Sequence, residues 1–474
     1  MKDLREFVDK IRDLGELKLV EGANWDLEIG AVTFLAAQDP NPPALLFDRI
    51  EGYSPGYRVL SIPYSTYKRI ALVLGLPSDS KRLDLVRKIR SKLSQPLKLI
   101  PPVEVKDAPV LQNVHTGTEV NLLEFPTPRW FSKDGGRYIG LGDNVIMKDP
   151  EEGWVNVGTY RVQVHDQTTA TINLEPGKHG RFIREKYWEK GQACPVAVTC
   201  GGDPMLVCVG AASLPWGTPE YDYAGWWKNE PVEVISGPTT GLPIPAHAEI
   251  VLEGEIVPPE IETRMEGPFS EWTGHYSPAK PDGAFRVKCV MHRNDPIILG
   301  HLVYLGPGII CGWTDLFAAA QVWSHLDKIV PGVKAVWSPP ELKKSMVISI
   351  EQKYGGHAKQ TALGALAQHS YDRRFIIVVD EDVDPSDIRQ VLFALALRSD
   401  PERFDIIKDS WCCNLNPILT PYQREVGDIT HSVAVITACK PYHWIKEFPP
   451  SVELTEELKE NVLEKWKGKI LEGS

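Results

Sequence analysis

Near the N-terminus apolar residues recur at helical spacing, Leu4, Phe7, Val8, Ile11 and Leu14, with Asp3 before them and Gly15 after. An Asp at the start and a Gly just past the end meet the backbone groups a helix leaves open, so this pattern predicts an amphipathic helix. The pattern then shortens. Runs at 17–20, 44–47 and 57–62 read as strands between proline and glycine turns, and two helices are expected near 65–75 and 79–93. Residues 96–109 are proline-rich and extended, a linker within or at the edge of the first domain.

From 110 to 298 strand-like runs dominate, at 143–148, 154–163, 169–173, 196–200, 206–211, 248–256 and 285–292, most of them bounded by Gly, Pro or Asp. So many strands between turns imply a largely antiparallel barrel or sandwich. After Pro307 the two periods alternate: helix 314–328, strand 347–350, helix 359–367, strand 375–380, helix 387–397 and strand 433–437. That alternation predicts an α/β domain with a mainly parallel sheet, followed by a charged helix at 454–471. The expected fold class is α+β and α/β multidomain. Its parts are an N-terminal α/β region (1–109), a β-rich domain (110–306), a linker helix (307–330), a C-terminal α/β domain (331–450) and a terminal helix (451–474).

Composition narrows the function. The 474 residues, 43% hydrophobic and 24% charged, suffice for two or three cores without disulfides. A net charge of −11 argues against a nucleic-acid footprint, which needs a basic face. The eight cysteines show no Cys-x-x-Cys and no regular spacing, which is reduced usage rather than a disulfide frame or zinc site. Neither a signal-type apolar core nor an 18-residue apolar run is present, so a cytoplasmic, non-membrane protein acting on small molecules is expected.

Several stretches carry candidate chemistry. In Arg264-Met265-Glu266-Gly267-Pro268-Phe269-Ser270-Glu271 two carboxylates stand five residues apart, positions that face opposite ways in a straight strand. Gly267-Pro268 breaks that alternation, so both carboxylates are able to face one cavity. Asn156 and Arg161 are also five apart, within a strand at 154–164, and a shared site there requires a bulge or turn, for which Gly158 is the candidate. His179 lies in the loop Pro176-Gly177-Lys178-His179-Gly180-Arg181, and Glu220 in Pro215-Trp216-Gly217-Thr218-Pro219-Glu220-Tyr221, after Ala211-Ala212-Ser213. Tyr354-Gly355-Gly356-His357-Ala358-Lys359-Gln360 opens a helix and offers amides and a cation to a phosphate, without P-loop spacing. The acidic run 380–385 reads as a strand-end loop capping the helix from Ser386 rather than a metal site.

Glu266-Gly267-Pro268-Phe269-Ser270-Glu271, followed by Trp272-Thr273-Gly274-His275-Tyr276, resembles the Glu-Gly-Pro-Phe-Gly-Glu segment of the UbiD-type decarboxylases, which use prenylated FMN. Ser270 departs from the Gly that many members carry. The Asn156…Arg161 strand, the His179 segment eighteen residues after Arg161, Glu220 and the His357-Ala358-Lys359 segment are similar to the family's in the same order. The resemblance implies a flavin-binding split β-barrel-like domain and a C-terminal oligomerisation domain. It implies Asn156, His179 and Glu220 as ligands of Mn²⁺ or Mg²⁺, a nearby K⁺ without assigned ligands, and Val157, Gly158, Thr159, Tyr160, Arg161, Lys178 and Lys359 beside the cofactor. Glu271 would be the proton donor, with Arg161 and Glu266 completing a Glu-Arg-Glu network, in an apolar setting supplied by Phe269 and Trp272. Reversible, non-oxidative decarboxylation of an unsaturated acid of the aromatic or heteroaromatic branch follows, with residues 301–316 as one pocket wall. A homodimer or larger homo-oligomer and a flavin prenyltransferase as cofactor supplier are implied as partners. The rivals are a flavin-dependent oxidoreductase, which lacks a Gly-x-Gly-x-x-Gly fingerprint here, and a non-catalytic flavin-binding subunit of a carboxylase complex.

Overall fold

The computed structural model describes residues 1–212, 214–302, 306, 313–368, 372–452 and 454–466. The first helix, Leu4–Asp13, forms as its pattern predicts: the Asp3 carboxylate accepts from the Glu6 N–H at 2.9 Å, and Leu4, Phe7, Val8 and Ile11 are buried. Gly15 then turns the chain with φ of +69°. Strands Leu17–Glu21, Ala44–Asp48 and Arg58–Ser61 build a four-stranded sheet whose last strand is Ile297–Gly300, from far along the chain. That strand was not read from the sequence. Neither was the helix Glu28–Ala36, whose start carries no side-chain cap. Helices Tyr67–Val73 and Arg82–Leu93 stand where two were expected.

The middle of the chain forms a nine-stranded sheet in which every pairing is antiparallel. Its path starts at Arg137–Tyr138 and Val162–Val164 and runs through Thr169–Ile172, Phe285–His292, Ile250–Ile256, Cys194–Cys200 and Asp143–Lys148 to Val155–Tyr160. The hydrogen-bonded path does not close. Yet Val155–Tyr160 ends the path while Val162–Val164 stands next to its other end, and the two are joined through Arg161 alone. The sheet therefore curls until one end strand and the strand beside its other end are one residue apart along the chain, and Arg161 occupies the seam.

One strand expectation is corrected: 206–210 belong to a helix, Pro204–Gly210, with Asp203 as its N-cap, Pro204 at its first turn and Ala211 as its C-cap. An unbroken apolar run reads equally well as a buried strand, whereas the Asp-Pro start signals a helix. Helices His179–Trp188 and Glu220–Lys228 also went unread, and both begin at candidate site residues.

Helix Thr314–Ile329 buries Leu316, Phe317, Ala319, Val322, Trp323 and Leu326 as it leads to the C-terminal sheet. That five-stranded sheet has the order Val333–Trp337, Ser345–Ile350, Phe375–Asp380, Thr430–Ala438, Asp405–Trp411. Its three central strands are parallel, but both edges are antiparallel, so "mainly parallel" holds only for the centre. Asp387 caps the helix Ile388–Arg398, and the preceding acidic loop is held by cations: Asp382 pairs with Arg398 and Lys440, both at 2.7 Å. The terminal helix is described over Glu456–Trp466 and buries no residue; the remainder of the expected helix lies outside the described residues. No described helix is long and apolar enough to cross a membrane.

Candidate active site

Arg161 leaves the seam and meets both carboxylates. Its Nε and Nη2 donate to Glu266 Oε1 and Oε2 at 2.7 and 3.0 Å, Nη1 donates to Glu271 Oε1, and Nη2 also reaches Ser277 Oγ at 3.1 Å. Glu266 is fully buried and Glu271 nearly so. The guanidinium lies over the Phe269 ring, 4.9 Å from its centroid. Burial works against the charge of Arg161, and the carboxylates, Glu266 first, more than restore it. Burial likewise raises the Glu271 carboxyl above its ordinary range, with Arg161 pulling the other way.

A turn brings the carboxylates together, as the sequence pattern required. Glu266 ends the strand Thr263–Glu266, Gly267 takes φ of +80° before a cis Gly267–Pro268 bond, and Phe269–Ser270 pairs with Tyr276–Ser277. Ser270 has no positive φ, so the backbone there does not require a glycine. Three residues that sequence reasoning missed clamp this turn. Gln163 Oε1 accepts from the Gly267 N–H at 2.8 Å and from the Tyr138 hydroxyl at 3.2 Å, and Asp134 Oδ1 accepts from the Ser270 N–H at 3.0 Å. Gly135 passes so close that a Cβ there would lie 2.0 Å from the Gly267 carbonyl oxygen. The one available signal was Gln163 itself, a polar residue flanked by Val162 and Val164 in a buried strand.

Asn156, at the other end of the same segment, belongs to a second cluster. Its Nδ2 donates to Glu220 Oε1 at 2.9 Å, and the Val157 N–H donates to Glu220 Oε2 at 2.8 Å. Burial pushes the Glu220 carboxyl up to about 7, against those hydrogen bonds. Asn156, Gly158, Thr159, Tyr160, Lys178, His179 and Glu220 line one cavity of about 710 Å³, together with Gln321 of helix Thr314–Ile329, Gln368 at the end of helix His357–Gln368 and Trp411 at the end of strand Asp405–Trp411. His179 is the first residue of its helix and packs edge-on against Trp154 and Trp216, with centroids 5.8 and 5.1 Å away. Burial and then Lys178 lower its pKa, which favours the neutral imidazole that binds metals.

Not every expected position converges. The seam falls at Arg161 rather than Gly158; Gly158 instead makes room for Tyr160, whose ring would lie 2.4 Å from an added Cβ. Val157 and Arg161 border the cavity through the backbone segment without lining it, and Lys359 is outside its lining, exposed and bonded to Asp405 at 3.0 Å. Phe269 is buried against the Arg161 guanidinium, whereas the Trp272 ring takes up the Lys344 ammonium at 4.6 Å. Glu271 also opens onto a cavity of about 400 Å³ lined by His275, Tyr276, Leu415, Pro417 and Arg424. On the expected 301–316 wall, the ring of His301 lies 5.4 Å from that of Tyr64, and the ring of Trp313 lies 4.7 Å from it. Residues 303–305 and 307–312 of that wall, and Ser213 of the Ala-Ala-Ser run, lie outside the described residues.

The donor set fits the expected groups. Asn156 Oδ1 is buried with no hydrogen-bond partner among the described residues, and the cavity that Asn156 lines also offers one carboxylate, Glu220, and one imidazole, His179. Such a set suits a hard or borderline divalent cation, and the cavity has the volume of a nucleotide-sized ligand site.

Comparison with known proteins gives the same picture. The three 3-octaprenyl-4-hydroxybenzoate carboxy-lyase domains match in order: the N-terminal domain over 8–89, the Rift-related domain over 102–306 and the C-terminal domain over 313–438. Pyrrole-2-carboxylic acid decarboxylase of Pseudomonas aeruginosa is 32% identical over 430 residues, 84% of this chain and 83% of that one. The closed form of vanillic acid decarboxylase from Sedimentibacter hydroxybenzoicus superposes with a TM-score of 0.81 at 30% identity, covering 98% of this chain and 99% of the other. The UbiD-class enzyme HmfF from Pelotomaculum thermopropionicum, solved with FMN, gives 0.83 at 26% identity over 99% and 100% of the two chains. An evolved dimeric form of HmfF, solved with prFMN, gives 0.80 at 25% over 98% of each. With all three domains matched and a relative of this identity aligned over more than four-fifths of both chains, the chain belongs to the UbiD family of carboxy-lyases.

Proposed function

We propose that this chain removes CO₂, reversibly and without net oxidation, from an unsaturated aromatic or heteroaromatic acid with the help of prenylated FMN. The carrying observation is the Arg161 bridge: one guanidinium holding two buried carboxylates, joined through Tyr160 to a cavity of nucleotide size. Residues 110–306 would then carry the cofactor, with 331–450 and 451–474 serving association.

Asn156, His179 and Glu220 are the proposed ligands of a Mn²⁺ or Mg²⁺ ion that neutralises the cofactor phosphate, and Lys178 adds a further cation at the same cavity. A K⁺ nearby is proposed without ligands. The first-turn amides of His179–Trp188 suit the same anion. Lys359 is proposed as a phosphate contact only through its segment's resemblance to the family's, since its ammonium rests on Asp405. When bound, the prenylated flavin supplies the electron sink that an sp² carbon lacks as CO₂ departs.

The chain's own residues do the rest. Arg161 orients the substrate carboxylate, and Glu266 fixes Arg161 through its two-pronged bond. Once CO₂ has left, the carbon that carried it forms its new bond to the proton of Glu271, using the electron pair of the broken bond, and Glu271 is left as a carboxylate. For that delivery near neutral pH the carboxyl must hold its proton above the ordinary value of about 4.3, which its dry setting favours. Arg161 then stabilises the carboxylate left behind until it is reprotonated. The cavity beside Glu271 admits the acid, whose class follows the vanillic and pyrrole-2-carboxylic acid decarboxylases among the relatives.

The test is to produce the chain together with a flavin prenyltransferase, record the mass and absorption of the bound cofactor, and screen aromatic and heteroaromatic acids for CO₂ release. Prenylated FMN with turnover of at least one such acid, and of no saturated acid, is expected. Bound flavin without turnover of any acid would favour a non-catalytic subunit, and oxidation of NADH without CO₂ release an oxidoreductase.

A further inference from the structure

Strand Asn113–Thr116 pairs with Phe285–His292 so that His115 faces Val290 and Asn113 faces His292. His115 and His292 thus leave the same face of the sheet at diagonal positions. Their Nε2 atoms lie 3.3 Å apart, the rings within 12° of parallel and the centroids 5.4 Å apart. His292 Nδ1 donates to the Arg293 carbonyl at 2.8 Å. A carbonyl only accepts, so the proton of the neutral ring is on Nδ1 and Nε2 presents a lone pair. Glu124 arrives from the short turn Leu122–Glu124, which Asn121 caps by accepting from the Leu123 N–H at 3.1 Å. One ligand atom from each of the three side chains lies within 4.8 Å of the other two. Glu124 Oε1 is buried and has no hydrogen-bond partner among the described residues, and Phe125 and Tyr57 pack around His292, with ring centroids 5.4 and 6.0 Å away.

We propose that His115, Glu124 and His292 form a second metal site, which binds a divalent transition-metal ion of the zinc class. Two imidazole nitrogens bound to one tetrahedral zinc at about 2.0–2.1 Å stand roughly 3.3–3.4 Å apart, the separation seen here. Two imidazoles and a carboxylate, with a fourth position left to water, are a donor set for such ions. The Arg293 carbonyl is the outer partner that ligating histidines ordinarily have, fixing tautomer and ring orientation. An N–H···N bond between the two rings would satisfy the imidazoles alone and leave the buried Glu124 oxygen unmet; an ion satisfies all three. None of the three lines the flavin-sized cavity. The ion would instead pin the edge strand and its turn to the end of Phe285–His292, next to Arg293, whose guanidinium holds Asp3 at 2.7 Å and so joins the N-terminal helix to the β-rich sheet.

The full chain, stripped with a chelator, is titrated with Co²⁺, whose visible bands report tetrahedral coordination, and then with Zn²⁺, alongside His115→Gln, Glu124→Gln and Glu220→Gln. Wild type and Glu220→Gln are expected to retain one zinc at this site. His115→Gln and Glu124→Gln should each weaken it by more than the ~10–100-fold typical of losing an outer-sphere partner. Crystals grown with zinc should show an anomalous difference peak between the three side chains, a readout that needs no variant to fold. Unchanged zinc affinity in both folded variants, or a map without that peak, overturns the site.

Discussion

At Arg161 one residue performs two tasks: it carries the chain across the sheet's seam, and it holds two buried carboxylates. A buried ion pair that loses one partner leaves an uncompensated charge, which typically costs about 3–5 kcal/mol. Glu266→Ala is therefore expected to lower stability in urea unfolding, by less than that because Glu271 still faces Arg161, and to disturb the cofactor's spectrum as well as the rate, because its role is to fix Arg161. The pH dependence has a definite sign. Burial raises the Glu271 carboxyl, so the proton-donating form prevails at low pH and is lost as pH rises through that raised value. Turnover should fall over the same limb, and the limb should vanish in Glu271→Gln; an unchanged profile would remove Glu271 as its origin. These residues were legible because family motifs mark them. Gln163 and Asp134 were not, since they act by accepting from backbone N–H groups, which no side-chain pattern announces.

Elements were legible where one face is apolar and a cap is present, as in Leu4–Asp13, and illegible where burial on all sides erases the period. Pro204–Gly210, with six buried residues, read as a strand for that reason. Helix His179–Trp188 was hidden behind a glycine-rich entry, yet its first turn carries two candidate cofactor contacts, Lys178 as cap and His179 as first residue. Accordingly His179→Ala or Glu220→Ala should leave folded protein with low metal content and low flavin occupancy, because the phosphate would lose its counter-ion. Normal occupancy in either variant would refute the ligand assignment. The turn after Glu266 depends on the bare Gly135. Gly135→Ala should displace it and reduce turnover far more than cofactor binding, which the separate cavity supports.

Across the whole molecule, the sequence divided the chain by texture, but the strand Ile297–Gly300 returns to complete the N-terminal sheet. Pairing between distant segments leaves no local trace, so this tie was not legible. Association was expected through the C-terminal parts, and the structure offers surfaces there. Leu392, Phe393 and Leu397 are more than half exposed on Ile388–Arg398, and Leu454, Leu458 and Val462 follow at helical spacing in an exposed segment. Such apolar faces suit contact with a second copy. Phe393→Asp, or truncation before Ser451, is expected to shift the assembly towards monomer in light scattering at low concentration; two unchanged assemblies would exclude both surfaces.

Glu271 is the proposed donor of the proton to the carbon from which CO₂ leaves. The most direct test of that role is the decarboxylation rate of Glu271→Gln beside wild type at matched prenylated-FMN occupancy, since Gln keeps the volume and removes the proton. A fall on the order of 10²–10⁴-fold is expected, the usual effect of losing general acid catalysis. A variant that turns over at the wild-type rate would contradict it.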